Sequence, residues 1–354
     1  MRISDKLIDR IISLETGPVR IMEVCGTHTM TIAKAGIKRM LPENVKLISG
    51  PGCPVCVTPE AVMDAVLRLS SRCDVIISSY GDMMRVPGSS RGDNLALRRA
   101  KGARVEMVFS PMDAIELAIA NPDKELVFLG AGFETTAPGT AAAIVSASER
   151  GLKNFSVLSI LKMLEPALRA LIAEPGFKIN AFLCPGHVGT IIGLKGFEYL
   201  AKDYRLPGVV AGFEPEDILL AVYMLLKQIS EGRAEVENGY RRAVSFEGNI
   251  MAAEMMRRVL EPAGSLWRGL GFIENSGLGI KEEFADFDAV KRFGIELEEG
   301  AANPACRCGD VICGRLEPDE CPLFGGLCTP EDPVGPCMVS SEGACAAAYK
   351  YSNF

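Results

Sequence analysis

The sequence predicts an α/β protein with two parallel-sheet α/β domains facing a cleft plus a cysteine-rich C-terminal domain. Three observations carry this reading. Short apolar, β-branched runs alternate with helical patterns through the first two thirds of the chain, unusual residues gather where those runs end, and seven of the twelve cysteines lie from Cys306 onward. Repeated strand-helix units imply parallel sheets, because parallel strands need a crossover connection that a helix usually supplies.

Strands are expected at 19–24, 45–48, 74–80, 104–109, 125–129, 155–160, 180–183 and 208–211. The clearest helices are expected at 59–72, 137–150 and 216–230, where apolar residues recur at three and four positions. Eight such units fit either two open sheets of about four strands each or one closed eight-stranded barrel. Two domains are preferred. Asn121-Pro122-Asp123-Lys124 makes a charged joint, and Gly132-Phe133-Glu134 is echoed by Gly212-Phe213-Glu214. The expected division is 1–122, 123–235 and 236–354, since the alternation fades after Glu231 and Cys, Gly and Pro become frequent from Asn303.

Composition narrows the function. The 354 residues are 48% hydrophobic and 23% charged, the usual globular mix, and the net charge of -7 lacks the basic surface a nucleic-acid binder needs. The opening MRISDKLIDRIISLETG has charges through its apolar positions, unlike a signal peptide, and the longest apolar run, 218–226, is too short to span a bilayer. A cytoplasmic protein without a membrane partner is therefore expected. In that compartment thiols stay reduced, so twelve cysteines point to metal binding or redox chemistry rather than a disulfide framework.

The unusual residues sit where strands turn into helices, and in parallel sheets those turns share one edge where ligands bind. Cys25-Gly26-Thr27-His28 places a thiol and an imidazole near a helix start, where backbone N–H groups lower a thiol's pKa; the plain alternative is a buried cysteine in a capping turn. Cys53-Pro54-Val55-Cys56 has the spacing of a redox dithiol and equally of half a zinc site, within a turn shaped by Gly50, Pro51 and Gly52. In Gly130-Ala131-Gly132-Phe133-Glu134-Thr135-Thr136 a dinucleotide fingerprint begins, but Thr135 replaces its third glycine; Glu134 is read as an acid at the cleft edge and Thr135 or Thr136 as a helix cap. His187 follows Pro185-Gly186 at a similar turn. The C-terminal Cys306, Cys308, Cys321, Cys328, Cys337 and Cys345 have no histidine among them, so a four-thiolate site for zinc or an iron-sulfur cluster is the natural ligand set.

These motifs together resemble one family. CGTH at 25–28, GPGCPVC at 50–56, GFETTAPGTA at 132–141, PGHVGTI at 185–191 and the tail CPLFGGLCTPEDPVGPCMVSSEGACAAAYKY are similar to the hydrogenase maturation factor HypD family, in family order and across nearly the whole chain. Met30 stands where that family often has a second histidine.

The resemblance implies a redox-active scaffold on which iron receives two cyanides and one carbon monoxide, the Fe(CN)2CO unit of nickel-iron hydrogenases. A small HypC-like partner and a HypE-like cyanide donor are implied with it. It also implies a 4Fe-4S cluster in the C-terminal domain, with Cys306, Cys321, Cys328 and Cys345 as ligands, Cys308 and Cys337 as a nearby redox pair and Cys313 without a role. Cys25 is then the candidate thiolate anchor for the iron and His28 a neighbour that tunes it. Cys53 and Cys56 either relay electrons or ligate the iron as well. Two rivals stay open: an iron-sulfur dithiol oxidoreductase that reduces a partner's disulfides, and a zinc-stabilised interaction protein.

Overall fold

A computed structural model describes residues 3–297, 300 and 303–351. The strands are β1 Val19–Glu23, β2 Val45–Ser49, β3 Val75–Ser79, β4 Val105–Met107, β5 Glu125–Gly132, β6 Phe155–Leu161, β7 Ala181–Pro185, β8 Gly208–Ala211, β9 Val236–Asn238, β10 Leu260–Trp267 and β11 Gly271–Ile280. The first eight fall where the apolar runs place them. They read so clearly because a parallel strand is covered on both faces and needs an unbroken apolar run, as in β5, whose seven residues after Glu125 are all buried.

Among the described residues the parallel strands form two open sheets and no barrel. One has the order β2-β1-β7-β8-β9 and the other β4-β3-β5-β6. The expected boundary between 122 and 123 runs through the second sheet, since β3 pairs with β5 across it. β7 and β8, expected in the second domain, pair instead with β1 in the first sheet. The chain leaves the first sheet after β2, builds the second sheet, and returns to lay β7 against the free side of β1.

Helix ends follow local chemistry. Pro111–Ala120 starts at a capping box in which Ser110 and Asp113 satisfy each other's backbone N–H groups, and Pro215–Ser230 starts the same way with Glu214 and Asp217. The antiparallel hairpin β10-β11 was not foreseen: its strands are half exposed, and Pro262 and Gly264 interrupt the first of them. No described helix is long and apolar enough to cross a membrane.

Each sheet reverses its strand order once, between β1 and β7 in the first and between β3 and β5 in the second. Such switch points open a crevice at the carboxyl ends of the strands. One apolar cluster joins the two sheets to the C-terminal region, running from Met22 and Ile48 through Ile77, Leu158 and Trp267 to Cys308 and Cys345.

Trp267 anchors the hairpin in that cluster. Its indole N–H donates to Ser276 Oγ at 2.8 Å, and Lys162 Nζ lies 5.4 Å from its ring centre. Lys162 is only 2% exposed; its amine donates to Ser265 Oγ and to the Leu266 carbonyl, and burial pushes its pKa down from 10.5 to about 7. Between those values the unfolded chain holds a proton that the folded chain does not, so stability rises with pH across that window and levels off above it. Urea titrations from pH 7 to 9 should show this rise, at most about 1.4 kcal/mol per pH unit, and Lys162→Met should flatten it. A slope that survives in the variant would assign it to other groups.

Candidate functional site

A pocket of about 300 Å³ opens at the carboxyl ends of both sheets. Its wall takes Cys25 from the end of β1, Pro54 and Val55 from the loop after β2, Tyr80 from the end of β3, Thr135 from the turn after β5 and His187 from the turn after β7. Glu342, from the cysteine-rich segment, completes it. Segments far apart in sequence thus converge as the strand-end placement implied.

Cys25 is the N-cap of the helix Gly26–Lys34 and is 6% exposed. The expectation of a lowered thiol pKa is overturned: burial pushes the thiol up to about 12, Glu342 and Glu23 add to the rise, and the backbone N–H groups of His28 and Thr27 oppose it without prevailing. Removing the sulfur from water costs the thiolate more than two helix-start donors return. At neutral pH the thiol holds its proton. Behind it, Glu23 accepts from the Cys25 N–H at 3.2 Å and from Thr29 Oγ1, and burial raises its carboxyl to about 8.

Two glycines bring the neighbouring loops onto Cys25. A Cβ at Gly52 would run into the backbone nitrogen of Cys25, and Gly26 N–H donates to the Gly52 carbonyl at 3.3 Å. A Cβ at Gly26 would meet Glu342, whose Oε1 accepts from Thr27 Oγ1 at 2.6 Å. Only a residue without a side chain permits either approach. Cys53 and Cys56 form a disulfide with Cα atoms 5.2 Å apart. Both are buried, at 5% and 1% exposure, so Pro54 and Val55 face the pocket and the sulfurs lie behind them.

The two histidines occupy different layers. His187 is exposed at the pocket wall and stacks on Phe213 with ring centres 3.8 Å apart; burial of part of the ring lowers its pKa while Glu342 raises it. His28 also lies against Phe213, with ring centres 5.1 Å apart, but is fully buried and absent from the pocket wall. Its Nε2–H donates to the Gly212 carbonyl at 2.9 Å, its Nδ1 has no hydrogen-bond partner, and burial lowers its pKa to about 4, so the ring is neutral. Glu134 also departs from expectation. It is buried rather than at the cleft edge, accepts from the Leu164 N–H at 2.9 Å, and is raised by burial to about 7. Thr136, not Thr135, precedes the helix Ala137–Glu149, and it donates back to the Ala131 carbonyl at 3.1 Å instead of capping.

In the cysteine-rich segment, Cys308, Cys321, Cys328, Cys337 and Cys345 are buried and Cys306 partly so. The Cys337 and Cys345 sulfurs are 3.1 Å apart, and the Cys308 thiol is raised by its hydrogen bond to Cys337 and by burial. Cys313 stands apart, donating to the Gly269 carbonyl at 3.6 Å. An all-thiol, water-poor donor set suits a soft metal or an iron-sulfur cluster. Among the described residues, however, no three His, Cys, Asp or Glu side chains are arranged to hold a metal ion. Sequence reasoning missed Glu342 and Glu23. Each is a lone acid whose importance comes from what folds against it, and Glu342 has only its place three residues before Cys345 as a signal.

Comparison with known proteins agrees with this arrangement. The family model HypD, described as the Hydrogenase formation hypA family, matches residues 2–352. The chain is 48% identical over 340 residues to the hydrogenase maturation factor HypD of Azotobacter vinelandii, covering 94% of this chain and 89% of that one. It is 46% identical over 335 residues to HypD of Escherichia coli (strain K12), again covering 94% and 89%. HypD2 of Bradyrhizobium diazoefficiens is 46% identical over 344 residues, covering 95% and 90%. A family match over nearly the whole length, with its cysteine loops folded around one pocket, places the chain in the HypD family of hydrogenase maturation factors.

Proposed function

We propose that this protein is the scaffold on which the Fe(CN)2CO unit of a nickel-iron hydrogenase is assembled, with a HypC-like protein helping to hold the iron and a HypE-like protein donating cyanide. One observation carries the reading: Cys25 faces a small pocket with the Cys53–Cys56 loop packed against its backbone and Glu342 of the thiol-rich segment opposite. Iron is the substrate here. Cyanide and carbon monoxide favour low-spin ferrous iron, for which a thiolate is a fitting soft anchor. Val24, Val55, Met83, Phe133 and Val188 give the pocket a largely apolar lining that keeps water from competing with those ligands.

The residues divide the work. Cys25 exchanges its proton for the metal. His187 is a polar group in the pocket lining, placed to pass that proton on to solvent. Opening the Cys53–Cys56 disulfide takes two electrons and two protons and frees two further thiols beside the anchor. A 4Fe-4S cluster would be held by Cys306, Cys321, Cys328 and Cys345, and when bound it would supply electrons one at a time. The burial of both disulfide sulfurs favours the scaffold over a reductase of protein disulfides, which would need a sulfur at the surface.

Anaerobic copurification with the HypC-like protein should yield infrared bands of iron-bound cyanide and carbon monoxide, and Cys25→Ala should abolish them. A complex with intact partner and no such bands would remove the scaffold reading. With the Cys53–Cys56 pair oxidised, ferrous iron must displace the Cys25 proton, which is held up to about 12, so apparent affinity should rise about tenfold per pH unit between pH 6 and 8. Titration of iron binding at several pH values checks this; a flat profile would mean that Cys25 is not the anchor.

A further inference from the structure

The tip of the β10-β11 hairpin lies between the two thiol groups of the molecule. Arg268 reaches one way. Its backbone N–H donates to the Val57 carbonyl at 2.9 Å, its Nε and Nη2 both donate to the Thr58 carbonyl at 3.2 and 3.1 Å, and its Nη1 pairs with Glu60. Val57 and Thr58 are the two residues directly after Cys56, and Glu60 follows two positions later. Gly269 reaches the other way: a Cβ there would run into the backbone of Gly309, beside Cys308, and the Gly269 carbonyl accepts from the Cys313 thiol. Arg268 is 8% exposed, and nothing in the iron chemistry above uses it.

The segment it grips is already wound tightly. Val57 N–H donates to the Cys53 carbonyl at 3.2 Å, and Thr58 Oγ1 donates to the Pro54 carbonyl at 2.8 Å. The planar guanidinium supplies two parallel donors to one carbonyl oxygen, a fork that an ammonium does not reproduce. We infer that Arg268 is the positioning residue of the Cys53–Cys56 pair, a buried clamp that holds the loop in its closed geometry whether or not the sulfurs are bonded. A loop held closed keeps its two thiols at high effective concentration, which favours the disulfide. Loosening it gives the dithiol form freedom that the oxidised form lacks. This inference rests on the reading of Cys53–Cys56 as a working redox pair.

The test is equilibration of the full-length protein with dithiothreitol under anaerobic conditions, with the oxidised fraction of Cys53 and Cys56 read by mass spectrometry after alkylation. Reduction breaks the protein S–S bond with two electrons and two protons and leaves the reagent as a cyclic disulfide. Arg268→Lys keeps the charge beside Glu60 but loses the fork. It should shift the equilibrium about tenfold toward the dithiol, or about 30 mV for a two-electron couple, and speed hydrogen exchange of the 57–60 amides in the reduced protein. Should that variant fail to fold, the double variant Arg268→Met with Glu60→Met removes the buried charges together and should show the same shift. A folded Arg268→Lys with the wild-type equilibrium, even with a lowered melting temperature, overturns the clamp and leaves the scaffold reading intact. A wild-type pair that does not oxidise at all overturns the redox reading along with it.

Discussion

The backbone of Gly52 lies so close to that of Cys25 that no side chain fits between them. This contact requires the loop after β2 to pass directly over the turn after β1, and the rest of the site follows from it. The disulfide is held behind Pro54 and Val55, the thiol is pressed toward the pocket, and Gly26 leaves room for Glu342 to approach from the third side. Close packing of loops at a switch point turns three unremarkable turns into one enclosed wall.

Enclosure sets the electrostatics. Cys25, Glu23, His28 and Glu134 are all pushed by burial toward their neutral forms, and Lys162 is pushed the same way beneath the hairpin. A region that keeps its ionisable groups uncharged resists solitary anions, yet it rewards a cation that arrives with its own ligands, because each proton released leaves a negative partner close by.

Much of this was legible in the sequence, for identifiable reasons. The inner strands announce themselves because both faces are covered, so β5 and β7 read as continuous apolar runs ended by Gly or Pro. Cys25, His187 and the loop that carries Cys53 could be placed at the pocket because strand-end turns in parallel sheets share an edge. What could not be read depends on contacts distant in sequence. The pairing of β1 with β7 leaves no local pattern, so the boundary at 122 looked reasonable. Which way a turn residue points is equally hidden: His28 and Glu134 sit at the correct ends of their strands yet turn into the core, and the direction of the Cys25 shift is decided by the walls that close over it.

The interleaved order of the sheets also has a bearing on how the molecule is made. β3 to β6 are contiguous and can close their sheet while the ribosome is still at work, but β1, which can pair early with β2, must wait for β7, 160 residues downstream. Until β7 emerges, the crevice beside Cys25 has no far bank. A nascent chain therefore has no finished pocket until most of its length has left the exit tunnel, so the lateness of one strand sets when the site can first close.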